Sequence, residues 1–135
     1  MKRRLNALYL IGLMAPILLL TKPMMADEWN KKTEFTFSAP VEIPGSVLPA
    51  GEYVFEIADN QSGRDIVQVY SKDSQGREHL RASLVTTAIQ LPDAPDKSTV
   101  HFEERHSGSP SAIESWFYRG EKTGWKFVYP TEPGV

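Results

Sequence analysis

The 135-residue sequence contains no cysteine. Disulfides, thiol redox chemistry and cysteine metal sites are excluded, and no lipid-modified cysteine can follow a leader. Long apolar runs are also missing. The longest, Leu8 to Leu20 interrupted by Pro16, covers thirteen residues, whereas a membrane-spanning helix needs about 20. Helical periodicity is absent over any useful length. Catalytic signatures are absent too: there is no G-x-S-x-G, no H-E-x-x-H and no serine set in a nucleophile turn. DNQSGRD (59–65) and SKDSQGR (71–77) resemble calcium loops in composition alone. They lack the spaced acidic pattern ending in Glu, and they read as turns.

What is present begins with a leader. Lys2, Arg3 and Arg4 precede the apolar run, TKPMMA follows it, and the composition then changes abruptly to DEWNKK. That order is the three-part pattern of a secretory signal peptide over residues 1–26, with Ala26 before the cut. Met24 is larger than the residue usually favoured two places earlier, so an uncleaved N-terminal anchor is the alternative, and the only membrane association expected. The chain is therefore expected to be exported, to the periplasm or the extracellular space. Cleavage leaves eleven basic and seventeen acidic residues, a net charge of −6. Nucleic acid and anionic membrane surfaces, which need basic patches, are not expected partners. A chain of about 110 residues buries roughly 65 % of its unfolded surface, so the fold must rest on its apolar core.

The rest of the chain is short alternating runs separated by Gly, Pro, Asn, Asp and Ser. In TEFTF, Phe35 and Phe37 alternate with polar residues. PVEIPG carries Val41 and Ile43 between prolines, as an edge strand or extended connection. Pro49-Ala50-Gly51 signals a turn. EYVFEIA is the cleanest strand, with Tyr53, Phe55 and Ile57 on one face. DIVQVY is apolar on both faces. In HLRASLVTTAIQL, Leu80, Ala82 and Leu84 share a face, and parity switches near Leu84–Val85, predicting a bulge or bend. STVHFEER, AIESWFY and WKFVYP follow. About seven or eight strands at this spacing predict an all-β fold, a small antiparallel β-sandwich over residues 27–130, with a patternless tail at 131–135.

Residues 116–129 hold six of the chain's fourteen aromatics: Trp116, Phe117, Tyr118, Trp125, Phe127 and Tyr129. Two strands joined by RGEKTG can set them side by side as cross-strand pairs. They are the core of the sandwich, a ligand platform of Trp116, Tyr118, Trp125 and Tyr129 suited to sugar rings or extended peptides, or a mixture with Trp116, Phe117 and Phe127 inside and Trp125 near the rim. Alternation alone does not say which face points inward.

One cluster has metal-like chemistry. On a strand, His101 and Glu103 point one way, Glu104 and His106 the other. His101, Glu103 and His106, with His79 from another strand, can supply imidazole and carboxylate ligands. The spacing matches no dedicated motif, and the alternative is a solvated, charged strand end. Ser107, Ser109 and Ser111 lie in a Gly/Pro loop and read as punctuation. Carboxylates are plentiful, but no insertion is large enough to build a glycosidase cleft.

LPAGEYVFEI (48–57) is similar to the L-P-A-G-x-Y opening of small secreted bacterial β-sandwich modules, including prealbumin-like and carboxypeptidase-regulatory-like domains. SWFYRGEKTGWKFVYP (115–130), with IVQVY (66–70) and FEER (102–105), more closely resembles a family of uncharacterised exported bacterial proteins. Those end in a Ser-Trp-Phe-Tyr, Gly, Phe-Val-Tyr-Pro pattern. Arg119 stands where that pattern has Pro, a departure confined to the hairpin loop. The resemblance implies export and a β fold, and brings no activity. Together these features predict a non-catalytic binding or interaction module without a cofactor, with a glycan or a protein as partner. The alternatives are an accessory protein assembling through a strand edge and a small metal-dependent enzyme.

Overall fold

Alternating β-branched and aromatic residues become strands almost wherever they occur. The computed structural model describes residues 19–22, 30–58, 65–103 and 108–130. The rest of the expected leader, residues 27–29, 59–64 and 104–107, and the tail 131–135 lie outside them. The described residues form ten strands: β1 (Leu19–Lys22), β2 (Thr33–Phe37), β3 (Val41–Ile43), β4 (Ser46–Leu48), β5 (Gly51–Ile57), β6 (Ile66–Lys72), β7 (Glu78–Gln90), β8 (Thr99–Glu103), β9 (Ser111–Phe117) and β10 (Thr123–Phe127). The order is β1-β2-β5-β6-β7-β10-β9-β3-β4, and β8 also pairs with β9. All pairings are antiparallel except a two-residue parallel contact of β3 with β9. The chain is all-β and consistent with a small β-sandwich.

Strand β7 links the two halves. Its residues 78–85 pair with β6, and residues 86–90 pair with β10. The strand changes partners at Val85/Thr86 with its alternation unbroken: Leu84 and Thr86 are buried and Val85 is exposed, so the parity switch expected near Leu84–Val85 does not occur. A separate bulge leaves Arg81 unpaired, because Val69 faces Ala82 while Tyr70 faces Leu80. The extra residue turns Leu80 away from the face of Ala82 and Leu84. Leu80 is 54 % exposed and Leu84 is buried, which corrects the expected Leu80–Ala82–Leu84 face.

A second bulge acts inside β9. His101 faces Ser115 and Phe102 faces Ile113, so Glu114 is the unpaired residue. A side-chain period of 2 would put Ile113 and Trp116 on opposite faces. The bulge puts both in one core cluster, where each is fully buried. Ser115 and Trp116 pair with β10 on one edge and with β8 on the other.

The core lies between the two halves. Phe55 of β5 meets Trp116 of β9 edge-on, with centroids 5.6 Å apart, and Phe127 of β10 at 6.3 Å. Phe37 of β2 meets Phe102 of β8 at 6.3 Å. Each such side chain contributes about 1.5–3 kcal/mol through burial, plus edge-to-face geometry worth about 0.5–1.5 kcal/mol per pair.

Two strands exceed the number expected. The β4 strand forms because Gly45, at φ 88°, lets the chain reverse after Pro44. Val41–Ile43 then pairs with Ser46–Leu48. Consequently β3 lies between β4 and β9, rather than at an edge. The other addition is β1, drawn from within residues 1–26. Leu19 to Lys22 pair in register with Phe37 to Glu34, covering an edge whose backbone groups would otherwise face solvent.

Candidate functional site

The aromatic hairpin sits in the core. Trp116 is 0 % and Trp125 8 % exposed, and Tyr118 and Phe127 are also buried. Trp116 and Trp125 face each other across β9 and β10. Phe117 points to the opposite side and is nonetheless buried. It packs where Gly124 has no side chain, since a Cβ there would lie 2.5 Å from its ring. It also lies beside the His101 ring, centroids 5.1 Å apart. Tyr118 is held by cations: Lys31 Nζ is 5.2 Å and Arg119 Cζ 5.0 Å from its ring centroid. Lys31 also pairs with Glu121, which ties the start of β2 to the β9–β10 turn.

Tyr129 is half-buried, and its hydroxyl has a structural task. It lies 2.6 Å from the Ile113 carbonyl and 3.1 Å from the Glu42 carbonyl. It therefore donates where β9 meets β3, just past the end of β10. Trp116, Tyr118, Trp125 and Tyr129 are thus all engaged in packing or in backbone hydrogen bonding. The Trp116 indole N–H and the Ser115 hydroxyl are buried without a hydrogen-bond partner among the described residues.

Of the metal-like residues, two share a strand and one lies apart from them. His101 and Glu103 are exposed on β8, on the same side, as the alternation requires. His106 lies outside the described residues. His79 belongs to another network, with Nε2 3.0 Å from Asp73 Oδ2 in the β6–β7 hairpin. Among the described residues no group of three His, Asp or Glu side chains is disposed to hold a metal ion.

Asp73 organises that hairpin. Its Oδ1 accepts the backbone N–H groups of Gln75 and Arg77, each at 2.9 Å, and its Oδ2 accepts Arg77 Nε at 3.0 Å. His79 beside it, then these backbone and guanidinium donors, hold the Asp73 carboxyl far below the usual carboxylate range. The L-P-A-G-x-Y stretch is a similar device. The Tyr53 hydroxyl donates to the Pro49 carbonyl at 2.6 Å and latches the turn into β5. Burial pushes the Tyr53 phenol up, against a smaller opposing effect of Arg81.

The loop from Leu91 to Ser98 is a brace. Leu91 N–H donates to Lys122 O, Gly120 N–H to Pro95 O, and Arg119 N–H to the Ser98 hydroxyl.

The outward face of β2, β5, β6 and β7 is a lattice of charge. Lys72 Nζ lies 3.1 Å from Glu34 Oε2, and Lys32 Nζ 3.3 Å from Glu78 Oε2. The Glu34 hydrogen bond holds the Lys72 ammonium pKa above its ordinary value, with Glu34, Glu52 and Glu78 adding Coulombic support against desolvation. Burial, then the Glu56 carboxylate, raises Tyr70.

Strand edges are among the surface features open to recognition. β4 is three residues long and flanked by Pro44 and Pro49. β8 is interrupted by its register shift at His101/Phe102. Both are blunted in the way natural edges are. β2 has neither proline nor bulge, and β1 covers it. Nothing in the local pattern of TEFTF announces an edge, because edge position depends on which strands are absent.

No protein-family model, curated protein or solved structure matches this chain.

Proposed function

We propose that the chain is an exported, non-catalytic interaction module of the periplasm or extracellular space, akin to the exported proteins with the S-W-F-Y…F-V-Y-P hairpin. Its leader is removed after Ala26, and its partner is a protein. The observation that carries this reading is the use made of the aromatic hairpin. Trp116, Tyr118 and Trp125 are buried in the sandwich, which takes away the stacking face a glycan would need. Sheet edges remain as the recognition element, and they recognise extended polypeptide through main-chain hydrogen bonds. A net charge of −6 after cleavage favours a basic partner and opposes self-assembly.

The test is made in cells. The full chain is expressed with a C-terminal tag, the cells are fractionated, and the N-terminus is read by mass spectrometry. A photo-crosslinking residue at Thr36 (β2) or Thr99 (β8) then captures neighbours. Export, cleavage and a discrete protein adduct from one edge are expected. Cytoplasmic retention with an intact N-terminus, or no adduct from either edge, overturns the proposal.

A further inference from the structure

The leader segment and the sheet are in direct register. Leu19 faces Phe37, Leu20 faces Thr36, Thr21 faces Phe35 and Lys22 faces Glu34. Leu19 packs, partly buried, against the core cluster. It does so at the side of the sandwich where Phe37 meets Phe102 across the two sheets. On its other side β2 pairs with β5, so cleavage after Ala26 strips the outer edge of β2. The same cut removes the apolar cover at the Phe37–Phe102 seam. A strand edge without proline, bulge or inward charge is a template for another strand.

The occupant's chemistry can be read from what borders the edge. The position opposite Phe37 faces the core and takes a large apolar side chain, as Leu19 does. The position opposite Glu34 faces outward, on the surface that carries Glu52 and Glu56 beside the Glu34–Lys72 and Glu78–Lys32 pairs, so carboxylates outnumber ammonium groups there. A second copy would bring another β2 strand and six further net negative charges, whereas a basic segment meets this surface favourably.

We infer that the β2 edge, occupied by the chain's own Leu19–Lys22 before processing, is a strand-addition site in the exported protein. It takes an extended protein segment with a large apolar residue opposite Phe37 and a basic residue opposite Glu34. The inference rests on the proposed export and cleavage. The leader is then a placeholder that keeps the edge paired until the protein reaches its compartment.

The experiment uses the full chain, expressed with its own leader and recovered from the periplasm. Its N-terminus is read by mass spectrometry. The probe is a fluorescent peptide carrying residues 18–22 followed by two lysines. Saturable binding is expected, with protection of the amides of residues 33–37 from hydrogen exchange. A Leu19→Asp peptide should bind at least about tenfold more weakly, and a Lys22→Glu peptide measurably more weakly, since a tenfold loss corresponds to about 1.4 kcal/mol. Unprocessed chain should not bind. Processed protein that ignores the peptide, or binds the Leu19→Asp peptide equally well, overturns the strand-addition site alone. So does a processed dimer that protects residues 33–37 and resists the peptide, since the edge then serves a second copy. Recovery of exported chain with residues 1–26 still attached overturns both this inference and the cleavage on which it rests.

Discussion

Trp116 and Trp125 stack across the β9–β10 pair, with ring centroids 4.7 Å apart and planes at 37°. They are direct cross-strand partners. Two indoles this close, both shielded from water, should act as one chromophore. In protein carrying Trp29→Phe, acrylamide should quench fluorescence weakly until urea unfolds the chain. Far-ultraviolet circular dichroism should show a coupled pair of bands that disappears in Trp125→Phe. Strong quenching of the folded protein would contradict the burial of these rings.

Gly124 is required by its neighbours. An added Cβ would stand 2.5 Å from both the Phe117 ring and the Trp116 carbonyl oxygen, and the carbonyl is backbone that cannot step aside. Gly124→Ala should destabilise the fold by about 1–3 kcal/mol, the usual cost of overpacking. Combining it with Phe117→Ala should not recover the loss, because the clash with the carbonyl persists. Urea unfolding midpoints of the two variants decide this.

The Tyr53 latch predicts a small, specific effect. Tyr53→Phe keeps the ring in the core and deletes the 2.6 Å bond to Pro49. The expected loss is about 0.5–1.5 kcal/mol, with faster amide exchange in the turn before β5. In the native protein the raised Tyr53 pKa means the phenol should ionise above its unfolded value. The stability it contributes is complete below the unfolded pKa and is lost as pH rises through the folded one. Spectrophotometric titration checks this.

Glu34 is 4 % exposed and depends on Lys72. Lys72→Met should cost about 1–3 kcal/mol, mainly by stranding a carboxylate within the sheet surface. Glu34→Gln in the same background should return part of it. Because the Lys72 pKa is raised, the pair's contribution is complete below the unfolded lysine pKa and fades as pH climbs through the folded one. A double-mutant cycle at neutral pH and again near pH 11 measures both effects.

Asp73 gives the opposite dependence. Its folded pKa is depressed, chiefly by His79, so its stabilisation is present above the unfolded value of about 3.9. It fades as pH falls through the folded value. The gap in melting temperature between the native protein and Asp73→Asn should be clear at pH 6, shrink steadily under acid and narrow in high salt. A gap independent of pH would contradict the ionic part of this network.

Some of this architecture could be read before folding was considered. TEFTF, EYVFEIA and DIVQVY are strands because apolar side chains at every second position fit a pleat with one face in the core. KDSQGR turns because Asp73 can gather the N–H groups of Gln75 and Arg77. The sequence pattern points to a parity switch near Leu84–Val85, where the alternation is in fact regular, and not to the Arg81 bulge that exposes Leu80. A bulge is a property of two strands, and the register against β6 is written in neither alone. The bulge at Glu114 is similar. Strict alternation would set Ile113 and Trp116 on opposite faces, and pairing with β8 puts them together.

The sequence by itself determined an all-β chain without disulfides, acidic over residues 27–135, with its aromatics concentrated near one end. Those follow from residue type and spacing, which are local. The tertiary structure decided that the aromatic hairpin lies inside, since alternation is symmetric and only the opposing sheet, through Phe55 against Trp116 and Phe127, breaks the tie. It also decided that His79 meets Asp73 across the β6–β7 hairpin. It decided, finally, that Leu19–Lys22 completes the edge of β2, because an unpaired edge exists only once every other strand has found its neighbour.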